Sequence, residues 1–213
     1  MATQGIVTSY FGIIDNKTGQ LVKGTDGLST DGLYEADGHE EATAEGATQI
    51  QIQGLDTAPT PQFSNNKSKR STQSTPFPTA EFTMLDLSFA AKQKLLGKKL
   101  NDKGLFTKGD SDETHVAAIA VTRTLDKQHK IYYAFANGVL TEGNKTLATN
   151  TQTEADSNDV MTLTTFSPIV DEQFDGDAYT TASDLIPTFK FDDLLAETFP
   201  GYTKVPVADK AKK

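Results

Sequence analysis

Histidines are the residues of this sequence best suited to bind a metal ion or move a proton near neutral pH, and there are three of them. His39, His115 and His129 stand in polar surroundings and lack the paired spacing of a zinc motif such as H-E-x-x-H. His39 lies among carboxylates in DGHEE, which is a conceivable metal site. A single histidine in an acidic loop is more commonly solvated, so we expect no metal centre.

Other motifs for catalysis or ligand binding are incomplete. The acidic stretches GDSDE (109–113) and FDGDAY (174–179) offer oxygen ligands, but neither matches a calcium loop with its distant glutamate. Ser64 and Lys67 form an S-x-x-K pair without a K-T-G segment downstream. No nucleophile elbow, P-loop or dinucleotide fingerprint is present. We therefore predict a protein without enzymatic activity, cofactor or metal.

Composition sets further limits. The 213 residues include no cysteine, which excludes disulfides, thiol catalysis and cysteine-based metal sites. No apolar run approaches the ~20 residues that a membrane helix needs, and the N-terminus resembles no signal peptide, so we expect no membrane association. The length suits one large β domain or one domain with long arms.

The net charge of −9 is distributed in blocks along the chain. Residues 1–60 hold nine acids and two bases, residues 64–108 hold nine bases and three acids, and residues 151–200 hold eleven acids and one base. Such blocks can be ordinary solvated surface. They can also be acidic and basic faces that meet in neighbouring copies, where complementary charge sets register and partner choice.

Sequence-specific nucleic-acid binding is poorly supported. The basic cluster of Lys67, Lys69 and Arg70 lies in a Ser/Asn/Thr-rich segment without interleaved aromatic residues. It therefore offers neither a recognition helix nor a stacking platform. An acidic chain would also repel a phosphate backbone.

One short amphipathic helix is predicted at about residues 86–97, directly after a strand that starts near Glu81. Asp86 or Ser88 can cap its start, and Gly97 suits its end. We expect the helix to lie against a sheet, because it is too short to be stable alone. Its apolar side also contains Lys92, whose ammonium should reach water. The predicted anchors on the sheet are Phe89, Leu95 and Leu96.

Besides the strand that leads into this helix and a first short strand at residues 5–15, four strands are predicted from alternation and β-branched content: residues 47–55, 116–124, 131–140 and 160–169. The second and third form a hairpin, in which Tyr132, Tyr133 and Phe135 are expected to pack. Both faces of 116–124 are fairly apolar, so each should be covered, either by the helix or by a neighbouring subunit.

The remaining segments give weaker signals. Residues 24–46 have the Asp-Gly chemistry of turns. Residues 62–75 fit a solvated loop or an exposed pairing strand equally well. After Pro168 no second core is evident, so we divide the chain into a β domain (residues 1–170, including a long acidic N-terminal loop region) and an acidic arm or small appended subdomain (residues 171–213).

The order of these stretches resembles the major tail proteins, or tail tube proteins, of long-tailed phages that infect Gram-positive bacteria. The resemblance covers roughly residues 49–169. It runs from FSNNKSKRS through AEFTMLDLSFAAKQKLLG, the acidic link GLFTKGDSDE and the strands VAAIAVTRTL and HKIYYAFANGVL to DVMTLTTFSPI. No single piece is specific, but their order and spacing together are.

This resemblance implies a mainly β subunit, a β-sandwich or barrel-like fold with one flanking helix. Such subunits assemble into hexameric rings that stack into a non-contractile tube, with one sheet lining the lumen. The implied partners are further copies of the chain, the tape-measure, tail-terminator and distal-tail proteins, and genomic DNA that passes without sequence-specific binding. The implied location is the virion, after synthesis in the host cytoplasm.

Within this picture, Lys67, Lys69 and Arg70 are expected to meet acidic residues of an adjacent copy. The Val116 strand and the Ile131 strand both remain candidates for the lumen lining. Two alternatives belong to other classes: a monomeric β-sandwich that binds a ligand at a bacterial surface, and a hydrolase with a site on its loops. The first predicts a secretion signal or an anchor, and neither is visible in the sequence.

Overall fold

The computed structural model describes residues 2–36, 45–109, 113–147, 149 and 157–203. The acidic loop with His39 and the middle of GDSDE therefore lie outside the described residues. The structure is mainly β, as predicted. Its strands are β1 (Thr3–Ile14), β2 (Leu33–Glu35), β3 (Gly46–Gln53), β4 (Thr60–Ser64), β5 (Lys67–Thr72), β6 (Thr79–Asp86), β7 (Lys99–Leu100), β8 (Phe106–Thr107), β9 (His115–Thr124), β10 (Lys130–Phe135), β11 (Gly138–Glu142), β12 (Asp159–Thr165) and β13 (Tyr179–Ser183). The helices are α1 (Phe89–Leu95) and α2 (Phe191–Thr198), with one 3-10 turn at Gln173–Gly176.

Nine of the described strands form one sheet that folds over on itself. The first half has the order β2–β1–β9–β10–β13, and all its neighbours are antiparallel. The second half has the order β11–β12–β6–β3 and is also antiparallel. We call these halves the first and second sheet. Together they make the predicted β-sandwich.

The chain passes from one sheet to the other at a corner. The predicted strand 131–140 is in fact two strands, β10 and β11, separated by Ala136 and Asn137. Beyond the corner, only Val139 still pairs with β9, at His115. The Asn137 side chain fixes the bend, because its amide nitrogen donates to the Ser167 carbonyl at 2.8 Å and its Oδ1 lies 2.7 Å from His115 Nδ1.

The main core lies between the two sheets. Residues of β6 and β12 alternate between buried and more exposed positions, as expected for half-buried strands, whereas β1 and β9 have runs of buried residues on both faces. At its centre Phe11 and Phe82 are fully buried and meet edge to face, with ring centroids 5.1 Å apart. The sandwich does not close on its other side, since no ladder joins β1 to β3 in the described part of the chain.

A second buried cluster covers the opposite face of the first sheet. Leu194, Leu195 and Phe199, in and just after α2, pack against the outward-facing residues of β9 and β10. Gly12 permits this approach, because a Cβ atom there would lie 2.7 Å from the Phe199 ring. The segment after Pro168, in which the sequence suggested no second core, contributes these residues to a cluster that it shares with the first sheet. The two apolar faces of β9 are both covered within the chain, one of them by α2.

Helix α1 is shorter than predicted. Strand β6 keeps its pairing with β3 as far as Asp86, so the helix starts only at Phe89. Ser88 occupies the N-cap position without a side-chain cap hydrogen bond. Gly97 has a φ of 74°, as its predicted position after the helix end requires. A side chain at this position would also crowd Thr114 Oγ1, which lies 2.8 Å from an ideal Cβ.

Candidate assembly surfaces

The antiparallel hairpin of β4 and β5, residues 60–72, projects from the sandwich, and we call it the arm. Every residue in its two strands is exposed. Asn65 and Asn66 form the turn with φ values of 51° and 61°, the left-handed region that a tight two-residue hairpin turn requires. Of the two interpretations left open for this segment, the exposed pairing strand is therefore the correct one.

Side-chain hydrogen bonds close the base of the arm. The Gln73 side-chain amide donates to Asp56 Oδ1 at 2.7 Å and to the Thr57 carbonyl at 2.8 Å. The Thr57 hydroxyl donates to the Ser74 carbonyl at 2.5 Å. These contacts tie the two entering segments together, so the arm is a defined projection even though its strands bury nothing.

The three predicted contact cations, Lys67, Lys69 and Arg70, lie together on β5. All three are exposed, and none forms an ion pair with any described residue. The arm contains no acid, so this end of the molecule is locally basic. Whether these cations meet a neighbouring copy stays a prediction.

An exposed acidic surface lies on the far side of the first sheet, on and around α2. In residues 171–200 eight exposed acids stand against one exposed base, Lys190, and Asp184 also lies beside His129 and Lys130 at the start of β10. These acids are Asp171, Glu172, Asp175, Asp177, Asp184, Asp192, Asp193 and Glu197. The basic arm and the acids around α2 thus lie on different parts of the folded chain, whereas Lys92 of the basic block pairs with Asp159 of the acidic block within the subunit.

The outer face of the second sheet is polar and carries almost no charge. One row crosses four paired strands, with Gln51 beside Glu81, Glu81 beside Thr162 and Thr162 beside Thr141. Parallel rows add mostly threonine and glutamine, together with the half-buried Val139 and Val160 and the exposed Leu85. Among the described strand residues on this face, Glu81 is the single charged one and there is no lysine or arginine.

The structure corrects the expectation for Lys92, whose side chain is buried with its ammonium. Its Nζ lies 2.7 Å from Asp159 Oδ1 and 2.6 Å from Glu142 Oε1, while Lys145 Nζ lies 2.5 Å from the same Asp159 oxygen. We call these four residues the ion-pair network. No local pattern of the sequence indicates it, because its members come from three elements and a loop, and Lys92 and Asp159 are 67 residues apart.

Charge pairing outweighs desolvation inside this network. Burial opposes the charged form of Asp159, yet hydrogen bonds from Lys145 and Lys92 hold the pKa of its carboxyl below the usual range. Burial likewise opposes the charge of Lys92, but hydrogen bonds to Asp159 and Glu142 raise the pKa of its ammonium. The network therefore fixes α1 to β11 and β12 as a set of charged groups.

The predicted packing residues of the helix have different environments. Leu95 is 1% exposed and belongs to the main core, and Leu96 is 8% exposed. Phe89 is 68% exposed, so the expectation that it anchors the helix was wrong. Its ring instead meets Phe106 of β8 edge to face at 5.7 Å, because the helix starts too late to turn Phe89 inward.

The three hairpin aromatics divide between the two faces of β10. Phe135 is fully buried in the main core and Tyr133 packs at its margin. Tyr132 points to the other face, where its ring lies 5.1 Å from Phe191 in α2 and the two rings stack. Burial raises the pKa of its phenol.

The described residues line at least two clefts on the surface. One, of about 440 Å³, lies on the open side of the sandwich between the first half of β1 and β3, and we call it the β1–β3 cleft. Its apolar lining includes Ile6, Ile50, Ile52, Leu55 and Tyr133. The other, of about 730 Å³, lies beside α1 and is bordered by lysines.

The described residues contain no group of three or more side chains that could hold a metal ion. In the same part of the chain, no helix has the length and apolar character needed to cross a bilayer.

A family model described as phage tail tube protein matches residues 1–207 of the chain. No curated protein matches the sequence. The match spans the arm, both sheets, the ion-pair network and α2, so it applies to the whole described structure.

Proposed function

The chain belongs to the phage tail tube proteins, and on that premise we propose that it assembles into stacked rings that form the tube of a long non-contractile tail. The family is structural rather than enzymatic and its members are virion components. The proposal adds that each ring is a hexamer, that the tube conducts DNA from the capsid, and that the phage infects a Gram-positive host.

The single observation that carries this proposal is the arm. An 11-residue pair of strands in which every residue is exposed contributes almost nothing to the stability of its own subunit. It is nevertheless held at a defined base, and it bears three cations without described ion-pair partners. A contact with another copy explains both features. A projection on one copy that meets a different surface on the next is a heterologous contact, which closes into rings or continues as a stack.

We propose that the outer face of the second sheet lines the lumen. Neither strand considered from the sequence fits, since six consecutive residues of β9 are buried and β10 is covered on both sides by the main core and α2. The second sheet instead presents threonine, glutamine and one carboxylate, Glu81. Without lysine or arginine this face would not retain a phosphate backbone.

The partners follow from the same proposal. Copies of the chain meet through the basic arm, through Lys67, Lys69 and Arg70, and through acidic surface such as that around α2. The tape-measure protein and DNA would occupy the lumen, and the tail-terminator and distal-tail proteins would contact the end rings.

Electron microscopy of the purified protein in negative stain tests this proposal, with sizing over a range of protein and salt concentrations. Rings or hollow tubes are the expected result. A particle that stays monomeric even with tail-initiation partners would contradict the proposal and favour a monomeric binding module.

A matched pair of variants tests the role of the arm. Reversing Lys67, Lys69 and Arg70 to glutamate should suppress assembly at low salt, where charge pairing is strongest. Reversing three exposed lysines in other turns, Lys17, Lys103 and Lys127, changes the net charge equally and should leave assembly intact. Equal loss in both variants, or in neither, would show that the arm has no special role.

A further inference from the structure

Phe63 is an unusual residue for its position. It is the only hydrophobic residue between Thr60 and Thr72, and its side chain is 69% exposed. Its partner on the neighbouring strand β5 is Ser68, which stands between Lys67 and Lys69. An aromatic ring on an otherwise polar projection gains nothing from its own subunit, but aromatic side chains are the common anchors of protein interfaces.

The β1–β3 cleft is an apolar opening without an occupant from the described part of its own chain. It exists because β2 covers β1 only from Tyr10 to Gly12, which leaves the first half of β1 bare on the side that faces β3. Ile6, Ile50 and Ile52 are all partly exposed there. A volume of about 440 Å³ falls in the range of sites that hold small apolar groups, and it accommodates one aromatic ring.

The charges around the two features are complementary. No charged residue of the described chain lines the cleft itself, and its wall is completed by Thr3, Thr48, Gln49 and Thr122. An exposed acid lies close by, since Asp56 follows the lining residue Leu55. A segment that carries an aromatic ring between cations fits this setting.

The arm is also built to reach a surface outside its own sandwich. From its base to its turn it extends five residues, roughly 17 Å of strand. The Phe63 ring points into solvent in the isolated chain and not into the cleft of the same copy. A projecting side chain and a cleft on different parts of one chain produce a head-to-tail contact between copies.

We propose that Phe63 of one copy inserts into the β1–β3 cleft of a neighbouring copy, with Lys67 and Lys69 directed to Asp56 beside it. This inference depends on the self-assembly proposed above, and it identifies the residues that join one copy to the next. The cleft is thus a binding site for a second copy of this chain.

Tryptophan fluorescence tests the proposal directly, because the chain contains no tryptophan. In Phe63→Trp the sole indole should emit at long wavelength in dilute monomer. On assembly its emission should shift to the blue and its quenching by acrylamide should fall several-fold. Phe89→Trp is the matched control, since Phe89 is 68% exposed but lies away from the arm and the cleft. Its emission should change little on assembly.

The cleft is tested from its own side. Phe63→Ala and Ile52→Gln should each raise the protein concentration needed for assembly by about 10- to 100-fold, the loss expected when one aromatic ring is no longer buried. The double variant should be scarcely worse than either single one, because both remove the same contact. Additive losses would overturn the pairing.

The fluorescence outcomes separate this inference from the proposed function. Assembled tubes of Phe63→Trp whose indole remains red-shifted and quenchable would overturn the inference and leave the tube intact. Blue emission in dilute monomer would also overturn it, because the ring would then occupy a site on its own copy. Absence of assembly in the wild-type chain as well, even with tail-initiation partners, would overturn both.

Discussion

Strand β9 and the arm are regions of similar length with opposite environments. Seven of the ten residues of β9 are buried, and its two faces belong to two different hydrophobic clusters. All eleven strand residues of the arm are exposed. Both are antiparallel β structure, so the difference lies in what each strand packs against.

This contrast indicates that stability and assembly are separate properties of the chain. The free energy of folding comes from the two clusters around β9, where apolar area is removed from water. The arm adds little to that free energy, so its defined base and its sequence require another explanation. A subunit organised in this way folds first and assembles later, and variants in the two regions should affect different measurements.

The largest difference is expected between two phenylalanine truncations, one in the main core and one in the arm. Phe82→Ala removes a fully buried ring of the main core and should lower the free energy of unfolding by about 3–5 kcal/mol. Phe63→Ala on the arm should change the same quantity by less than about 0.5 kcal/mol. Urea unfolding of dilute monomer measures both. A loss of several kcal/mol in Phe63→Ala would show that the arm is part of the fold.

The next effect concerns the ion-pair network, which joins α1 to the second sheet. Lys92→Met should lower the free energy of unfolding by about 1–3 kcal/mol, because Glu142 and Asp159 lose a buried partner. The loss stays below that of a wholly unpaired buried charge, since Lys145 still neutralises Asp159. Lys99→Met, at an exposed position of β7, is the control and should be nearly silent.

The same network predicts how stability depends on pH. The pKa of Asp159 is lower in the folded chain than its ordinary value of 3.8, so its contribution is fully present above that value. The contribution is lost as the pH falls through the lower, folded pKa. Asp159→Asn should therefore flatten the acid limb of a plot of unfolding free energy against pH. Asp102→Asn, at an exposed position, is the control and should keep the acid limb of the wild type. If Asp159→Asn keeps it as well, the ionised pair does not contribute to stability.

Local patterns predicted much of the region around β9. The apolar residues on both faces of 116–124 correctly indicated that each face is covered, and Gly97 correctly marked the end of a helix. Lys92 was misjudged because its partners, Glu142 and Asp159, are distant in sequence and only the fold brings them together. Helix α2 was missed, although Phe191, Leu194, Leu195 and Thr198 have helical spacing, because the many acids around them suggested a solvated arm.

Local sequence patterns could not predict the arm as a hairpin, for a different reason. Periodicity reports which residues a strand buries, and the arm buries none, so its polar sequence cannot distinguish a hairpin from a loop. Single residues nevertheless indicated a hairpin turn and an exposed anchor. Asn65 and Asn66 suit a tight turn, and Phe63 is an isolated aromatic residue in a polar segment.

The smallest effect on folding is expected at the turn of the arm. Asn66→Gly should change the free energy of unfolding by less than about 0.5 kcal/mol, because glycine adopts the φ of 61° freely and the turn is exposed. Asn66→Val should be equally silent in that measurement. A β-branched residue is strained at this φ, but the exposed turn can distort without the loss of a buried contact. Assembly should separate the two variants. The valine variant, whose turn is distorted, should require a higher protein concentration to form tubes than the glycine variant. If both assemble alike, the shape of the arm is irrelevant to assembly, and the division between a folding region and an assembling region fails at the arm.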